Sequence, residues 1–163
     1  MNVQVHHLRM ATENVHAGVC LNTSPHSCLG SVLMCPPKVQ SRVVPFYQSY
    51  NQGISDHFYT TWLVERDKTL TSPGWHSENV ACYVWPTGEE DKVQLYRLWQ
   101  DNLKDHLYTI CAAERDKSVQ QNQYKFECMA CYVYKQSVLG TVLLYCIFFC
   151  QLHQEKGKLL NLP

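Results

Sequence analysis

The chain has 163 residues, enough for one ordinary domain, and its apolar fraction of 45% can supply a buried core. Fourteen basic and fourteen acidic residues cancel, so no net field attracts a nucleic-acid backbone or an anionic membrane surface. The composition therefore excludes a wholly disordered chain and disfavours nucleic acid as a partner.

Residues 1–42 show neither helical nor alternating periodicity, and Pro36-Pro37 is typical of a loop. We expect a poorly ordered leader there. No uninterrupted apolar stretch typical of a secretory signal is readable before Pro37, so secretion by the common route is not predicted. His26 and Cys28 form a close pair, but no second pair completes a tetrahedral ligand set, and no metal site is predicted.

Unit one, residues 43–91, has the pattern strand, strand, helix, strand. Runs of β-branched and aromatic residues predict the strands, Asn-Gln-Gly predicts a hairpin turn, and two leucines seven positions apart predict a short helix. In chain order these elements are Val43–Tyr50, Asp56–Thr60, a helix at 62–70, and Glu78–Trp85.

Unit two, residues 92–140, repeats unit one at a constant offset, which carries Val44 onto Val93. The strand Asp56-His57-Phe58-Tyr59-Thr60 returns as Asp105-His106-Leu107-Tyr108-Thr109. Fifteen of the 42 aligned positions from Val44 to Trp85 are identical, and they fall in blocks. We therefore predict tandem β-β-α-β repeats, with a second helix at 111–119.

A truncated third unit is predicted at 141–148, where Val142 and Tyr145 follow Val93 and Tyr96 at the same offset. The copy then fails, because Gln154 and Glu155 stand where Asp and His should be. A repeat domain at 43–148 is thus followed by a tail at 149–163.

The fold class predicted from these units is mainly β with short helices (α+β). We expect an incomplete pseudo-threefold, trefoil-like globule, because one unit alone cannot close a core and neighbouring units must bury each other's strands. The apolar run Val138–Cys150 is shorter than the ~20 residues that a helix needs to cross a bilayer, so no membrane span is predicted.

The two units resemble a tandem repeat family catalogued as domain of unknown function 5648. The matching residues are Phe46-Tyr47 and Leu95-Tyr96-Arg97, the two Asp-His strands, Glu65-Arg66 and Glu114-Arg115, Trp75 and Tyr124, Glu78 and Glu127, and Ala81–Val84 and Ala130–Val133. The resemblance covers about 43 to 135, with a fragment to 148. It implies an extracellular accessory binding module of pseudo-threefold shape, because such units usually come in threes, often in secreted proteins and sometimes attached to hydrolases.

This sequence departs from the family pattern at two places in each unit. Trp62 and Cys111 replace the Ser that would form a capping box with the Glu three positions later. Asn79 and Cys128 replace a Gly that follows the Glu of the last strand.

The repeated Asp-His step invites an acid–base interpretation, because a carboxylate can hold an imidazole near neutral pKa. Successive side chains of a strand, however, point to opposite faces, so Asp56 and His57 are not expected to meet. The step also occurs in both units, whereas a catalytic site needs one asymmetric set of groups. A structural hydrogen bond or a repeated ligand pocket therefore fits better, and no catalytic residue is predicted.

Other motifs give little support for chemistry. The sequence has no G-x-S-x-G, H-E-x-x-H or Gly-rich phosphate loop. Cys128-Met129-Ala130-Cys131 is a C-x-x-C in a strand pattern with no second pair, and Cys82 and Cys131 fit small buried hydrophobes. The total of nine cysteines is odd, which does not indicate a disulfide framework. No cofactor is predicted.

The aromatic residues of both units outnumber those that one small core can bury with every hydroxyl satisfied. Flat rings beside His and Asp suit the apolar face and the hydroxyls of a sugar. We therefore predict a non-catalytic module that binds carbohydrate or another cell-surface ligand at two sites per chain. The alternatives are a part of, or an accessory to, a hydrolase, and a structural fragment without a ligand. The ligand-binding candidates are Asp56, His57, Tyr59, Asp105, His106 and Tyr108.

Overall fold

The structure is a computed structural model. It describes residues 3–10, 26–33, 42–88, 91–139 and 141–151, with side chains at 30–33, 42–88, 91–139 and 141–144. The described chain is mainly β, as predicted, in two antiparallel sheets. The elements are β1 (Val3–Met10), β2 (His26–Val32), β3 (Val44–Asn51), β4 (Asp56–Thr60), α1 (Leu63–Leu70), β5 (Trp75–Val84), β6 (Lys92–Gln100), β7 (Asp105–Thr109), α2 (Ala112–Gln121), β8 (Lys125–Tyr134) and β9 (Val142–Gln151).

The smaller sheet contains the three strands of unit one in the order β4-β3-β5. The central strand β3 pairs with β4 through a tight hairpin, which places Tyr50 opposite His57 and Asn51 opposite Asp56. The turn ends at Ser55, whose φ of 56° lies in the left-handed region. A tight connection between antiparallel strands commonly needs such a residue.

The larger sheet has the order β1-β9-β2-β8-β6-β7, and its last three strands belong to unit two. Their cross-strand partners occupy the positions equivalent to those of unit one, so Trp99 is opposite His106 and Gln100 is opposite Asp105. Lys104, at the end of this hairpin turn, also has a φ of 56°. The two units thus share strand order, register and turn geometry.

Both predicted helices are confirmed, and both begin without a side-chain cap, since Trp62 and Cys111 at the N-cap positions make no capping hydrogen bond. A threonine two positions earlier takes over part of that role. The Thr60 hydroxyl accepts the backbone N–H of Trp62 (3.0 Å) and donates to the Glu65 carboxylate. Thr109, Cys111 and Glu114 repeat the arrangement in unit two.

The two sheets share one apolar core. Most of its fully buried side chains come from the central and third strands of both units, and Val32 of β2 joins them. Those of the two units include Phe46, Val84, Leu95, Leu98 and Val133. The helices contribute little to this core, since only Ser118 among their residues is fully buried. Within the described residues no helix is long and apolar enough to cross a membrane.

Part of the segment expected to be a poorly ordered leader instead contains strands β1 and β2. Both pair with β9, the strand that follows unit two, so Val3 lies opposite Gln151 and Val32 lies opposite Val142. No local pattern indicated these strands, because their pairing partner lies at the other end of the described chain. The rest of the segment, and the tail after Gln151, fall outside the described residues.

Candidate functional site

The Asp-His step of β4 splits between two environments, as strand alternation requires. The Asp56 side chain is completely buried, whereas 17% of the His57 side chain is exposed. Asp56 contacts His106, which belongs to unit two. The carboxylate of unit one therefore binds the histidine of unit two.

The Asp56–His106 pair is a short buried contact. Asp56 Oδ2 lies 2.6 Å from His106 Nδ1, and Asp56 Oδ1 accepts the His106 backbone N–H at 3.1 Å. The rings of Phe58 and Trp99 pack beside the imidazole, with ring centroids 5.2 Å and 4.5 Å away. Burial raises the pKa of the Asp56 carboxyl above its usual value, although the hydrogen bond from His106 opposes this. The pair is therefore held in dry surroundings, where it fixes one unit against the other.

Arg97 lies beside this pair and joins the two units a second time. Its guanidinium donates to both carboxylate oxygens of Glu65 (2.7 and 3.1 Å), to Glu127 (2.8 Å) and to the backbone carbonyl of Tyr59 (3.2 Å). It also lies 4.6 Å from the centre of the Phe58 ring, a favourable cation–π position. The planar guanidinium, with several N–H donors in fixed directions, can bind two carboxylates at once better than the ammonium group of a lysine would.

The charges of this group stabilise each other. Burial lowers the pKa of Arg97, but the hydrogen bonds with Glu65 and the nearby acidic groups, Glu127 among them, together outweigh that effect and the pKa is raised overall. Burial likewise raises the pKa of Glu65, but the hydrogen bonds from Arg97 and Thr60 and the positive charge of Arg97 together outweigh it, so that pKa lies below its usual value. Both groups therefore remain charged at neutral pH. We call Asp56, Glu65, Arg97, His106 and Glu127 the junction cluster.

Tyr59 and Tyr108, which occupy equivalent positions in the two Asp-His strands, contact each other in the interior. The Tyr108 hydroxyl accepts the Tyr59 N–H at 2.7 Å and donates to the Tyr59 carbonyl at 3.2 Å. Burial raises the pKa of Tyr108 well above its usual value, so the phenol remains protonated. This contact, like the junction cluster, joins β4 to β7.

In unit one, the residues equivalent to Arg97, His106 and Glu127 lie at the surface. His57 stacks on Tyr50 with ring centroids 4.4 Å apart, and its Nε2 lies 3.3 Å from the Glu78 carboxylate. Gln48, at the position of Arg97, donates to the same carboxylate at 2.5 Å. The Glu78 side chain is 40% exposed. We call Gln48, Tyr50, His57 and Glu78 the open cluster.

The six sequence-predicted candidates do not form two copies of one ligand site at the surface. Asp56 and Asp105 are completely buried, and Tyr59, Tyr108 and His106 are buried as well. Asp105 accepts a hydrogen bond of 2.9 Å from the Tyr124 hydroxyl. Only His57 among the six retains a substantial accessible surface.

Several residues that shape both clusters were not among the candidates. Glu65 lies on α1 next to Arg66 and Asp67, which form an exposed pair. Glu65 instead points inward to Arg97. The family pattern contained a signal for both residues, because it includes the Arg of L-Y-R and the Glu of E-R.

The two buried cysteines of the units, Cys82 and Cys131, have no reactive surroundings. Cys82 and Cys131 are buried free thiols, and burial raises the pKa of Cys82 to about 12 and that of Cys131 well above its usual value. They therefore remain neutral thiols, as expected for small buried hydrophobes. Among the described residues, no group of three or more His, Cys, Asp or Glu side chains is placed to hold a metal ion.

A comparison with protein families matches residues 33–154 to the family described as Domain of unknown function (DUF5648). The matched region is about three quarters of the chain. The chain belongs to this family. No curated protein and no solved structure matches it. The DUF5648 description carries no activity, so the function has to be argued from the clusters themselves.

The boundaries of the DUF5648 match are informative. The match includes both units and β9, but it begins at residue 33, immediately after β2 ends at Val32. Strands β1 and β2 therefore lie outside the region that the family model recognises, although β9, their pairing partner, lies inside it.

Proposed function

We propose that the protein is a non-catalytic binding module whose ligand is a carbohydrate, bound at the open cluster of unit one. The observation that carries the proposal is the stack of Tyr50 on His57 beside the half-exposed Glu78 carboxylate. An aromatic face provides a platform for the apolar side of a sugar ring. A carboxylate and an amide next to it can accept and donate hydrogen bonds to sugar hydroxyls.

The proposal assigns one site to each chain instead of the two expected from the sequence. In unit two, Arg97 replaces Gln48 and binds the carboxylate at the Glu78 position, which is Glu127. His106 is turned to Asp56 in the interior. The copy of the site in unit two is thus filled by protein groups.

A non-catalytic role is supported by the lack of distinct acid and base roles in the open cluster. His57 and Glu78 contact each other at the surface. Most glycosidases need two carboxyl groups flanking the scissile bond, whereas Glu78 is the single carboxylate of the open cluster. The hydrolase alternative remains an outcome of the test below.

The proposal also includes the arrangement of the units: tandem β-β-α-β units placed around a pseudo-threefold axis, as in a trefoil-like globule. It is supported by the constant sequence offset between the cross-strand partners of units one and two. It is further supported by the packing of β4 against β7, since corresponding strands of neighbouring units meet near such an axis.

A glycan array probed with the full-length protein tests the proposed function. We expect binding to one class of glycans, with a stoichiometry near one by calorimetry. His57→Ala and Glu78→Gln should each weaken binding about tenfold, which corresponds to about 1.4 kcal/mol. Asp67→Asn is the matched control, because it removes one negative charge from the exposed face of α1 in the same unit and should leave binding unchanged.

Three results would overturn the proposal. The first is an array without any bound glycan, which would favour a structural role. The second is binding that His57→Ala and Glu78→Gln leave intact, which would place the site elsewhere. The third is turnover of chromogenic esters or glycosides that His57→Ala abolishes, which would make the protein a hydrolase.

A further inference from the structure

Strands β1, β2 and β9, which lie outside the two units, have the strand order of a third unit. In unit one the central strand β3 lies between β4 and β5, and in unit two β6 lies between β7 and β8. Strand β9 lies in the same way between β1 and β2. By position, β9 corresponds to the first strand of a unit, β1 to the second and β2 to the third.

The register of β9 with β1 agrees with this assignment. Tyr47, Tyr96 and Tyr145 stand at equivalent positions of the three central strands, and they lie opposite Thr60, Thr109 and Arg9, respectively. Three positions further along the central strand, Tyr50 and Trp99 lie opposite His57 and His106. Phe148 occupies that place in β9 and lies opposite His6. The histidine position of the Asp-His strands thus recurs in β1.

The other side of β9 repeats an irregularity of the two units. In unit one the pairing shifts between Val80 and Cys82, and in unit two it shifts between Met129 and Cys131. In β2 the shift falls between Cys28 and Ser31, and Cys28 lies opposite Tyr145 as Val80 lies opposite Tyr47. A bulge that recurs at one position is a regular feature of the strand pair and not a chance irregularity of one copy.

The connections also agree in length. The segment between the second and third strands covers 61–74 in unit one and 110–124 in unit two. The segment between β1 and β2 covers 11–25, which equals the unit-two segment in length and exceeds the unit-one segment by a single position. Strand β1 moreover packs against both β4 and β7, which pack against each other, so the three second strands meet as a group.

We propose that the protein is a closed ring of three units, in which β9 from after unit two and β1 and β2 from before unit one assemble the third. The truncated third repeat is thereby completed by the segment that was expected to be a leader. This inference concerns the architecture and does not depend on the proposed ligand, so either can fail alone.

Gly30 provides the sharpest test of this assembly, because it lies where β2 approaches β8. Its φ of 102° is in the left-handed region, and a Cβ placed on it would lie 2.1 Å from the backbone oxygen of Tyr134. Gly30→Ala should therefore push β2 away from β8. Gly53→Ala is the matched control, because the nearest atom to its Cβ is Asn51 Oδ1 at 3.3 Å and its φ is not in that region.

Hydrogen exchange followed by mass spectrometry on the full-length protein gives the readout. In the wild type, amides of β1, β2 and β9 should be protected at least a hundredfold over an unstructured chain. Gly30→Ala should lower this protection in all three strands at once and should lower the melting temperature. Gly53→Ala should change neither.

Two outcomes would contradict the ring. One is wild-type exchange in β1 and β2 at the rate of an unstructured peptide, which decides the question even where the Gly30 variant does not fold. The other is a Gly30→Ala protein with unchanged protection and melting temperature, which would mean that β2 does not dock on β8.

Discussion

Three residues of the junction cluster occupy the positions that open-cluster residues occupy in the other unit, yet they are less exposed than their counterparts. Gln48 corresponds to Arg97, Tyr50 to Trp99, His57 to His106 and Glu78 to Glu127. Unit two receives Asp56 and Glu65 from its neighbour, and these two carboxylates bind His106 and Arg97. The environment that a neighbouring unit supplies, and not the motif itself, decides what the Asp-His step does.

Gln48 and Arg97 occupy the same position in their units but make hydrogen bonds of different strength. Arg97 bonds Glu65 and the Tyr59 carbonyl across the junction and Glu127 within its own unit. The contact of Gln48 with Glu78 is exposed and stays within one unit. A buried hydrogen bond between two charged groups is worth more than an exposed one in which a single partner is charged. Equivalent substitutions in the two clusters should therefore have unequal effects.

The largest inequality is expected between Arg97→Ala and Gln48→Ala. Removing Arg97 leaves the partly buried Glu65 and Glu127 carboxylates without their shared cation, which should cost about 3 kcal/mol of the free energy of unfolding. Gln48→Ala should cost less than about 1 kcal/mol, because its contact is exposed. Urea denaturation of both variants at pH 7 measures the difference. Equal losses would show that the junction cluster does not hold the units together.

The histidines give the next largest difference. His106→Ala should lower the free energy of unfolding by about 2 kcal/mol, because the buried Asp56 carboxylate loses its partner. His57→Ala should lower it by about 0.5 kcal/mol, as expected for a partly exposed residue. Thermal melting of the two variants side by side checks this, and a greater loss for His57→Ala would reverse our assignment of the scaffold and the site.

The smallest effect is a difference in pH dependence inside the junction cluster. The pKa of Asp56 is raised from 3.8, so above that pH the folded protein holds more protons than the unfolded chain, and stability falls as pH rises through the folded-state pKa. The pKa of Glu65 is lowered from 4.5, so its contribution is present above pH 4.5 and is lost as pH falls through the folded-state pKa.

Removing each carboxyl should therefore change the pH profile with opposite sign. Relative to the wild type, Asp56→Asn should gain stability as pH rises above about 4, by no more than about 1.4 kcal/mol per pH unit. Glu65→Gln should gain relative stability as pH falls below about 4.5, because the wild type loses its ion pair there. Urea titrations from pH 3 to pH 7 measure both trends, and trends of the same sign would rule out this account of the cluster.

Much of the fold could be predicted from the sequence because its signals are local. The β-branched runs, the hairpin turns and the constant repeat spacing placed the six strands and both helices of the two units. Strands β1 and β2 could not be predicted in this way, because the residues that pair with them lie in β9 and no local pattern reports so distant a partner.

The site was predicted less well for a related reason. Strand alternation correctly separated Asp56 from His57, but alternation cannot say which element covers each face. Asp56 is buried where it contacts His106 of unit two, whereas His57 contacts Tyr50 and Glu78 of its own unit and stays partly accessible. Which side chain is covered depends on contacts between the units, and aligning one repeat with another gives no information about those contacts.

The pairing of β1 with β9 has a consequence for the order in which the protein is made. On the ribosome β1 emerges before either unit, while its partner emerges only after both, so β1 must wait through the synthesis of all the intervening strands. Units one and two can form their hairpins during that time, since their contacts are closer in sequence. Until β9 arrives, β1 lacks its pairing strand and β2 has only its short pairing with β8. Nascent chains stalled before residue 142 should therefore be the form of this protein most inclined to associate with one another.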